Sequence, residues 1–269
     1  GAMNMTEPLR FNRTGLRGQL FEAEPMSKHV SWRAGGVADR AYMPADAEDL
    51  ALFLAELPVD EQVCFVGLGS NFLVRDGGFR GTMVLMHNTR ATISIQGTKV
   101  SVGAGAACPK LARVAATHGL CGAEFLAGVP GTVGGALAMN AGCYGSETWT
   151  YVTQVQTINR QGRTRVLGPD DFEVGYRHVA LKNDGTNPRQ NVVGRDEWFI
   201  GAEFEFSRGS AEEARALIRE LLAKRVESQP LGLPNAGSVF RNPPSHYAAR
   251  LIEAAGLKGR RPVRILRAA

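Results

Sequence analysis

"GVPGTVGGALAMNAGCYG", residues 128–145, is the stretch on which the reading of this chain turns, and six of its residues are glycine. Glycine at that density lets backbone N–H groups converge into an anion-binding nest and lets a ligand come close to the main chain. A shorter stretch of the same character, "GLGSN" (67–71), follows directly on the apolar run "QVCFV". Ser70, Asn71 and Thr132 would add side-chain donors to these two loops. Neither loop is followed by the G-K-[ST] of a Walker loop, and neither opens a helix as the G-x-G-x-x-G dinucleotide fingerprint does. A dinucleotide held here would therefore lie outside a Rossmann fold. The apolar run "ALAMNAG" (136–142) would suit backbone packed against a flat ring system.

Working outward, the flanks supply the frame. "ADAEDLALFLAEL" (45–57) reads as a helix, with Asp46 and Asp49 as a capping box and Leu50, Phe53, Leu54 and Leu57 on one face. "QVCFV" and "TMVLMH" (82–87) read as buried strands, and "ATISIQGTKVSVGAGA" (91–106) as a hairpin about Gly97-Thr98. "CPKLARVAATHG" (108–119) is a helix that starts near Pro109 and stops at Gly119. "YVTQVQTINRQGRTRVLG" (151–168) is a second hairpin, and "EWFIGAEFEFSRG" (197–209) a further strand. Ser210 and Glu213 open a long helix over 211–228, and "YAARLIEAAG" (247–256) is a shorter one ending at Gly256. Helices interleaved with hairpins argue for an α+β fold.

The totals exclude several classes. Of the 269 residues, 44% are hydrophobic and 21% charged, so a sizeable core is expected and global disorder is not. The net charge of +5 is a property of the tail: "RRPVRILRAA" (260–269) holds four arginines and no acid, and without it the balance falls to +1. No basic stripe interleaved with aromatics suggests a nucleic-acid partner. Cys64, Cys108, Cys121 and Cys143 form no C-x-x-C pair, so they read as small buried hydrophobes rather than as metal ligands. No secretory leader and no apolar run of membrane-spanning length is present, which fits a cytoplasmic protein without a membrane partner. "GAM" (1–3) reads as a remnant of tag removal.

The longer motifs resemble one family. "HVSWRAGGVADRAYMP" (29–44), "GLGSNFLVRDGGFRGT" (67–82), "EFLAGVPGTVGGALAMNAGCYGSE" (124–147), "GYRHV" (175–179) and "PNAGSVFRNP" (234–243) occur in the order and spacing of the UDP-N-acetylenolpyruvoylglucosamine reductases, the MurB family. The resemblance implies the FAD-binding fold of the vanillyl-alcohol oxidase type: subdomains over residues 4–92 and 93–208, then a smaller α+β substrate-binding domain over 209–269. It implies non-covalent FAD, NADPH as co-substrate, a UDP-sugar substrate, and a monomer. The implied reaction reduces the enolpyruvyl ether of UDP-N-acetylglucosamine to UDP-N-acetylmuramate in peptidoglycan precursor synthesis. The short run after Tyr176 is similar to the second type of the family.

Carried over residue by residue, the resemblance implies that Gly67, Gly69, Ser70 and Asn71, with Pro130, Gly131, Thr132, Gly134 and Gly135, hold the cofactor. Arg177 matches the family's active-site arginine, with Tyr176 beside it. Ser238 matches the catalytic serine and Asn242 an asparagine that contacts the UDP-sugar. Where the family usually has serine, this chain has Val179. The resemblance is expected to stop near Gly259. Beyond that point the family carries a glutamate that works opposite the serine, and "RRPVRILRAA" does not match it. Its loss would leave a flavin-binding protein with weak or no reductase activity, and a relative of the same fold with another substrate is a further alternative.

Overall fold

A computed structural model describes residues 14–87, 91–182, 196–228 and 241–257. Two sheets dominate the chain up to Asn235. The first contains β1 (Gln19–Pro25), β2 (Val37–Met43), β3 (Val63–Val66) and β4 (Phe79–Leu85) in the order β1-β2-β4-β3. β1 runs antiparallel to β2, whereas β2 and β3 both run parallel to β4. The segments that follow β2, β3 and β4 therefore all emerge at one end of the sheet. Gly67–Asn71 leaves β3 there, and Met86 and His87 leave β4. In open sheets with parallel strands this carboxyl end is where ligands bind.

Helix α1 (Ala47–Glu56) begins at the same end. The Asp46 side chain accepts from the Asp49 N–H at 2.9 Å, so the expected cap is present. Its reciprocal half is not. Asp49 is fully buried and its carboxylate accepts from Tyr42 Oη (2.7 Å), from the Ala45 N–H (2.9 Å) and from the Arg17 N–H (2.7 Å). A buried carboxylate is stable only when its lone pairs are filled in this way.

The second sheet is antiparallel throughout, in the order β11-β10-β14-β6-β5, where β5 is Ile93–Gln96, β6 Lys99–Gly103, β10 Val152–Asn159, β11 Thr164–Leu167 and β14 Glu197–Glu205. The short pieces β7 (Leu120–Cys121), β8 (Gly142–Cys143), β9 (Ser146–Glu147) and β15 (Ser207–Arg208) pair outside these sheets. β12 (Phe172–Gly175) and β13 (His178–Leu181) form a hairpin of their own. Successive strand residues point to opposite faces, and β14 shows the consequence. Phe199 joins the core made with α2 (Cys108–Thr117), α3 (Val133–Met139) and α4 (Ala211–Ser228). Trp198 joins the other core, with Leu50, Phe53 and Leu54 of α1. Helix α1 is thus packed between the two sheets. Trp198 stacks on Phe65 of β3 at 4.5 Å, and Arg160 Nη2 donates to the carbonyls of Pro58 (2.7 Å) and Glu61 (2.5 Å), tying the second sheet to the first.

Most of the run 136–142 belongs to α3, with Ala136 and Leu137 buried. Helix α4, which opens the third domain in the sequence reading, packs Ala214 and Ile218 into the core of the second sheet. A second compact unit spans Ala236–Ala269. Its described part holds α5 (Ala248–Ala254), closed by Gly256 at φ +66°. No described helix is long and apolar enough to cross a membrane.

Candidate active site

The two glycine loops meet. A Cβ on Gly67 would run into the Thr132 side chain, and one on Gly131 would come within 3.0 Å of Ser70 Oγ. Gly69 has φ +62°, and a Cβ there would strike the backbone carbonyl of His29 and approach Val30 Cα at 2.7 Å. The Ser31 N–H donates to the Gly69 carbonyl at 3.1 Å, so the "HVSWR" motif supports the loop from below. Only glycine fits either position, for want of space at Gly67 and of both space and φ at Gly69.

The second loop is pinned by backbone bonds on both sides. The Cys108 N–H donates to the Gly131 carbonyl (3.0 Å), Val133 to Ala106 (2.8 Å) and Gly134 to Ala104 (2.9 Å). Thr132 is the N-cap of α3, and its Oγ1 accepts from the Gly135 N–H at 3.3 Å. Pro130 and Gly135 face solvent, while Gly131 and Thr132 are buried. A cavity of about 410 Å³ is lined by Leu50, Met86, Val102 and Ala104 together with Ser94, Ser101, Gln154, Gln156 and the carboxylates of Asp46 and Glu203; it adjoins the second loop through Ala104, whose carbonyl accepts from the Gly134 N–H. The backbone cradle of the two loops suits a pyrophosphate, and the mixed lining of the cavity, part apolar and part amide, hydroxyl and carboxylate, can take a heteroaromatic ring that carries its own donors and acceptors. The residues present therefore fit a dinucleotide such as FAD. Gly103 and Gly105 also line this cavity. They belong to "VGAGA", which the sequence reading placed only at the end of a hairpin strand.

His29 and His87, assigned no role from sequence, lie under the first loop with ring centroids 5.7 Å apart. His29 Nε2 is 2.8 Å from Glu24 Oε1. Burial holds His87 below the usual imidazole range, the neighbouring His29 adds to this, and the Gly67 carbonyl opposes it. Of the cysteines, only Cys108 is fully buried. Burial pushes its thiol up to about 12 and that of Cys64 up to about 11, so neither is a nucleophile at neutral pH. No group of metal-binding side chains occurs among the described residues.

Tyr176 and Arg177 are the two residues that turn β12 into β13, since Gly175 pairs with His178. Arg177 sits at φ +50°, and its guanidinium lies 5.8 Å from the Tyr176 ring centroid. The left-handed region costs a non-glycine residue roughly 1–2 kcal/mol, and such strain concentrates at functional sites. Asn242, in the second compact unit, accepts from the Ala248 N–H at 3.0 Å and so caps the start of α5. Ser238 lies outside the described residues.

Comparison with known proteins follows the same lines. A family model described as an FAD binding domain matches residues 38–168. Another, described as the C-terminal domain of UDP-N-acetylenolpyruvoylglucosamine reductase, matches residues 229–265, past the Gly259 at which the likeness was expected to stop. The UDP-N-acetylenolpyruvoylglucosamine reductase of Thiobacillus denitrificans is 53% identical over 91% of this chain and 77% of the relative. That of Nitrosospira multiformis is 52% identical over 95% of this chain and 78% of its own length. A crystal structure of the Thermus caldophilus enzyme matches with a TM-score of 0.72 at 28% identity, covering 91% of this chain and 82% of that one.

Proposed function

Because the chain belongs to the UDP-N-acetylenolpyruvoylglucosamine reductase family, we propose that Arg177 and Ser238 carry the second half of its reaction. The reaction itself is the FAD-dependent, NADPH-driven reduction of the UDP-N-acetylglucosamine enolpyruvyl ether in peptidoglycan precursor synthesis. The alternative of a flavin-binding protein without reductase activity is not favoured by relatives about half identical over nine-tenths of the chain. The chemistry that FAD would supply when bound is hydride transfer, with NADPH as the source of reducing equivalents.

The chain's own residues do the rest. Gly67, Gly69, Ser70 and Asn71 with Pro130, Gly131, Thr132, Gly134 and Gly135 hold the pyrophosphate and the ring. Reduction of the enolpyruvyl double bond puts negative charge on the carbon beside the carboxylate. Arg177 is a permanent cation with a planar fork suited to that carboxylate. A serine hydroxyl is a weak acid, but a carbanionic centre is basic enough to take its proton, so Ser238 acts as a general acid and needs no histidine. Tyr176 and Asn242 contact the UDP-sugar. We keep the division into flavin-binding subdomains at 4–92 and 93–208, supported by the two sheets, with the substrate-binding part beyond them, supported by the family match over 229–265. A cytoplasmic monomer, without a membrane or nucleic-acid partner, is the assembly we propose.

The observation that carries the site is the strained φ of Arg177 in a turn that holds only two residues. The test separates the half-reactions by rapid mixing. Ser238→Ala should leave flavin reduction by NADPH within about twofold and slow reoxidation by the enolpyruvyl sugar by about a hundredfold or more, the range of a lost general acid. Equal loss in both halves would make Ser238 structural.

A further inference from the structure

We propose that Asn140 is a positioning residue for Arg177: its side-chain amide fixes the Tyr176–Arg177 turn to the end of α3. The inference rests on the reading of Arg177 given above. Asn140 is 5% exposed and is the C-cap of α3, at φ +43° and ψ +53°. Its Oδ1 accepts from the Trp149 N–H at 3.1 Å, and its Nδ2 donates to the Gly175 carbonyl at 3.3 Å. The orientation of the amide is decided by its partners, because a backbone N–H can only donate and a carbonyl can only accept. Gly175 is the last residue before the turn, so this bond holds the residue next to Tyr176 and two before Arg177.

Further contacts lie along the hairpin. Phe172 packs its ring 4.8 Å from Trp149, and Val179 is buried in the same core. Trp149 is itself tied to α3 by Nε1 donating to the Leu137 carbonyl at 2.8 Å. These contacts place the hairpin on α3, and the Asn140 amide adds a bond at the residue that enters the turn. A left-handed conformation at a non-glycine residue persists only where the surroundings determine it, and the Asn140–Gly175 bond is such a constraint.

The glycine-rich stretch then serves at both ends. Gly131–Gly135 faces the other glycine loop, and Asn140 holds the arginine turn. Between them α3 has seven residues. A straight helix of that length is a rigid spacer of roughly 10 Å. The spacing between the dinucleotide cradle and the carboxylate-binding cation is thereby set within one segment of chain.

Two variants separate the role from mere folding. Asn140→Asp keeps the size and the acceptor for the Trp149 N–H but turns a carboxylate oxygen toward the Gly175 carbonyl. Asn140→Gly keeps the left-handed backbone at no cost and removes both bonds. In FAD-loaded protein, each should slow reoxidation by the enolpyruvyl sugar by about ten- to a hundredfold, the cost of misplacing a reacting group by around an ångström. Flavin reduction by NADPH should stay within about twofold of the parent, because it does not use the carboxylate contact. A binding readout accompanies the rates. Titration calorimetry should show UDP-N-acetylmuramate, which carries the carboxylate, binding roughly tenfold more weakly, with UDP-N-acetylglucosamine, which lacks it, unchanged.

Arg177→Ala serves as the reference. If it leaves the carboxylate preference intact, the reading of Arg177 fails and the role of Asn140 fails with it. If it abolishes the preference while both Asn140 variants behave as the parent, the inference about Asn140 alone is overturned. Asn140→Gly should add nothing in the Arg177→Ala background, since it acts through the arginine. Full additivity, or equal slowing of both half-reactions, would show that Asn140 only supports the fold.

Discussion

Gly69→Ala is the substitution that tests the cradle most directly, because three glycines allow its cost to be taken apart. Gly77 has open space around its missing Cβ and no positive φ, so Gly77→Ala should be neutral or stabilise by about 0.4–1 kcal/mol through the unfolded chain. Gly97 has φ +68° with nothing within 4 Å, so Gly97→Ala carries the conformational term alone, roughly 1–2 kcal/mol. Gly69 has φ +62° and in addition a Cβ that would overlap the His29 carbonyl and stand 2.7 Å from Val30 Cα. Both neighbours are backbone and cannot swing away. Overpacking of this kind adds roughly 1–3 kcal/mol, for a total of about 2–5 kcal/mol. Urea unfolding of the three variants should give that order, and FAD affinity of the apoprotein, read by flavin fluorescence, should fall only for Gly69→Ala. A tenfold weakening corresponds to about 1.4 kcal/mol of the distortion reaching the loop. A Gly69→Ala variant no less stable than Gly97→Ala, with unchanged FAD affinity, would refute the claim that this glycine is required by the approach of the His29–Val30 backbone.

Two further outcomes follow from named groups. Asp49→Ala should cost about 2–4 kcal/mol by urea unfolding, because it leaves the buried Tyr42 hydroxyl and the part-buried N–H groups of Ala45 and Arg17 without their acceptor; a loss below about 1 kcal/mol would mean that these groups repair themselves with water. Glu203 is held below the usual carboxylate range, first by its hydrogen bond from Lys99 Nζ at 2.9 Å and then by the one from Thr153. The unfolded state then binds more protons than the native one, so this contribution is present above about pH 4.3 and is lost as pH falls through the lower folded value. The difference in melting temperature between the parent and Lys99→Met should accordingly be constant from about pH 7 to 5 and close below about pH 4; a gap that widens on acidification would reverse the sign assigned here.

Much of the fold and part of the site were legible in the chain itself, and the reason is range. The Asp46 cap, the stop at Gly119, the hairpin at Gly97 and the alternation along 91–106 are interactions between residues a few positions apart, so local pattern carries them. The glycine loops were legible for the same reason: their composition alone permits backbone to approach a phosphate. What the pattern could not carry was every contact made across the fold. Asp49 looked like half of a capping box, yet Tyr42 and Arg17 claim its carboxylate from other elements. The run 136–142 gave no helix signal, because alanine and glycine disguise a short helix that exists through its burial against the second sheet. The sequence by itself determined that two glycine loops offer backbone to an anion, whereas Arg177 stood out only through the likeness of "GYRHV" to a family motif. Only the tertiary structure decided that Gly67 lies against Thr132, that the His29–Val30 backbone lies against Gly69, and that the Asn140 amide reaches the Gly175 carbonyl. Each of those contacts joins segments far apart in the chain, where position is set by packing rather than by neighbouring residues.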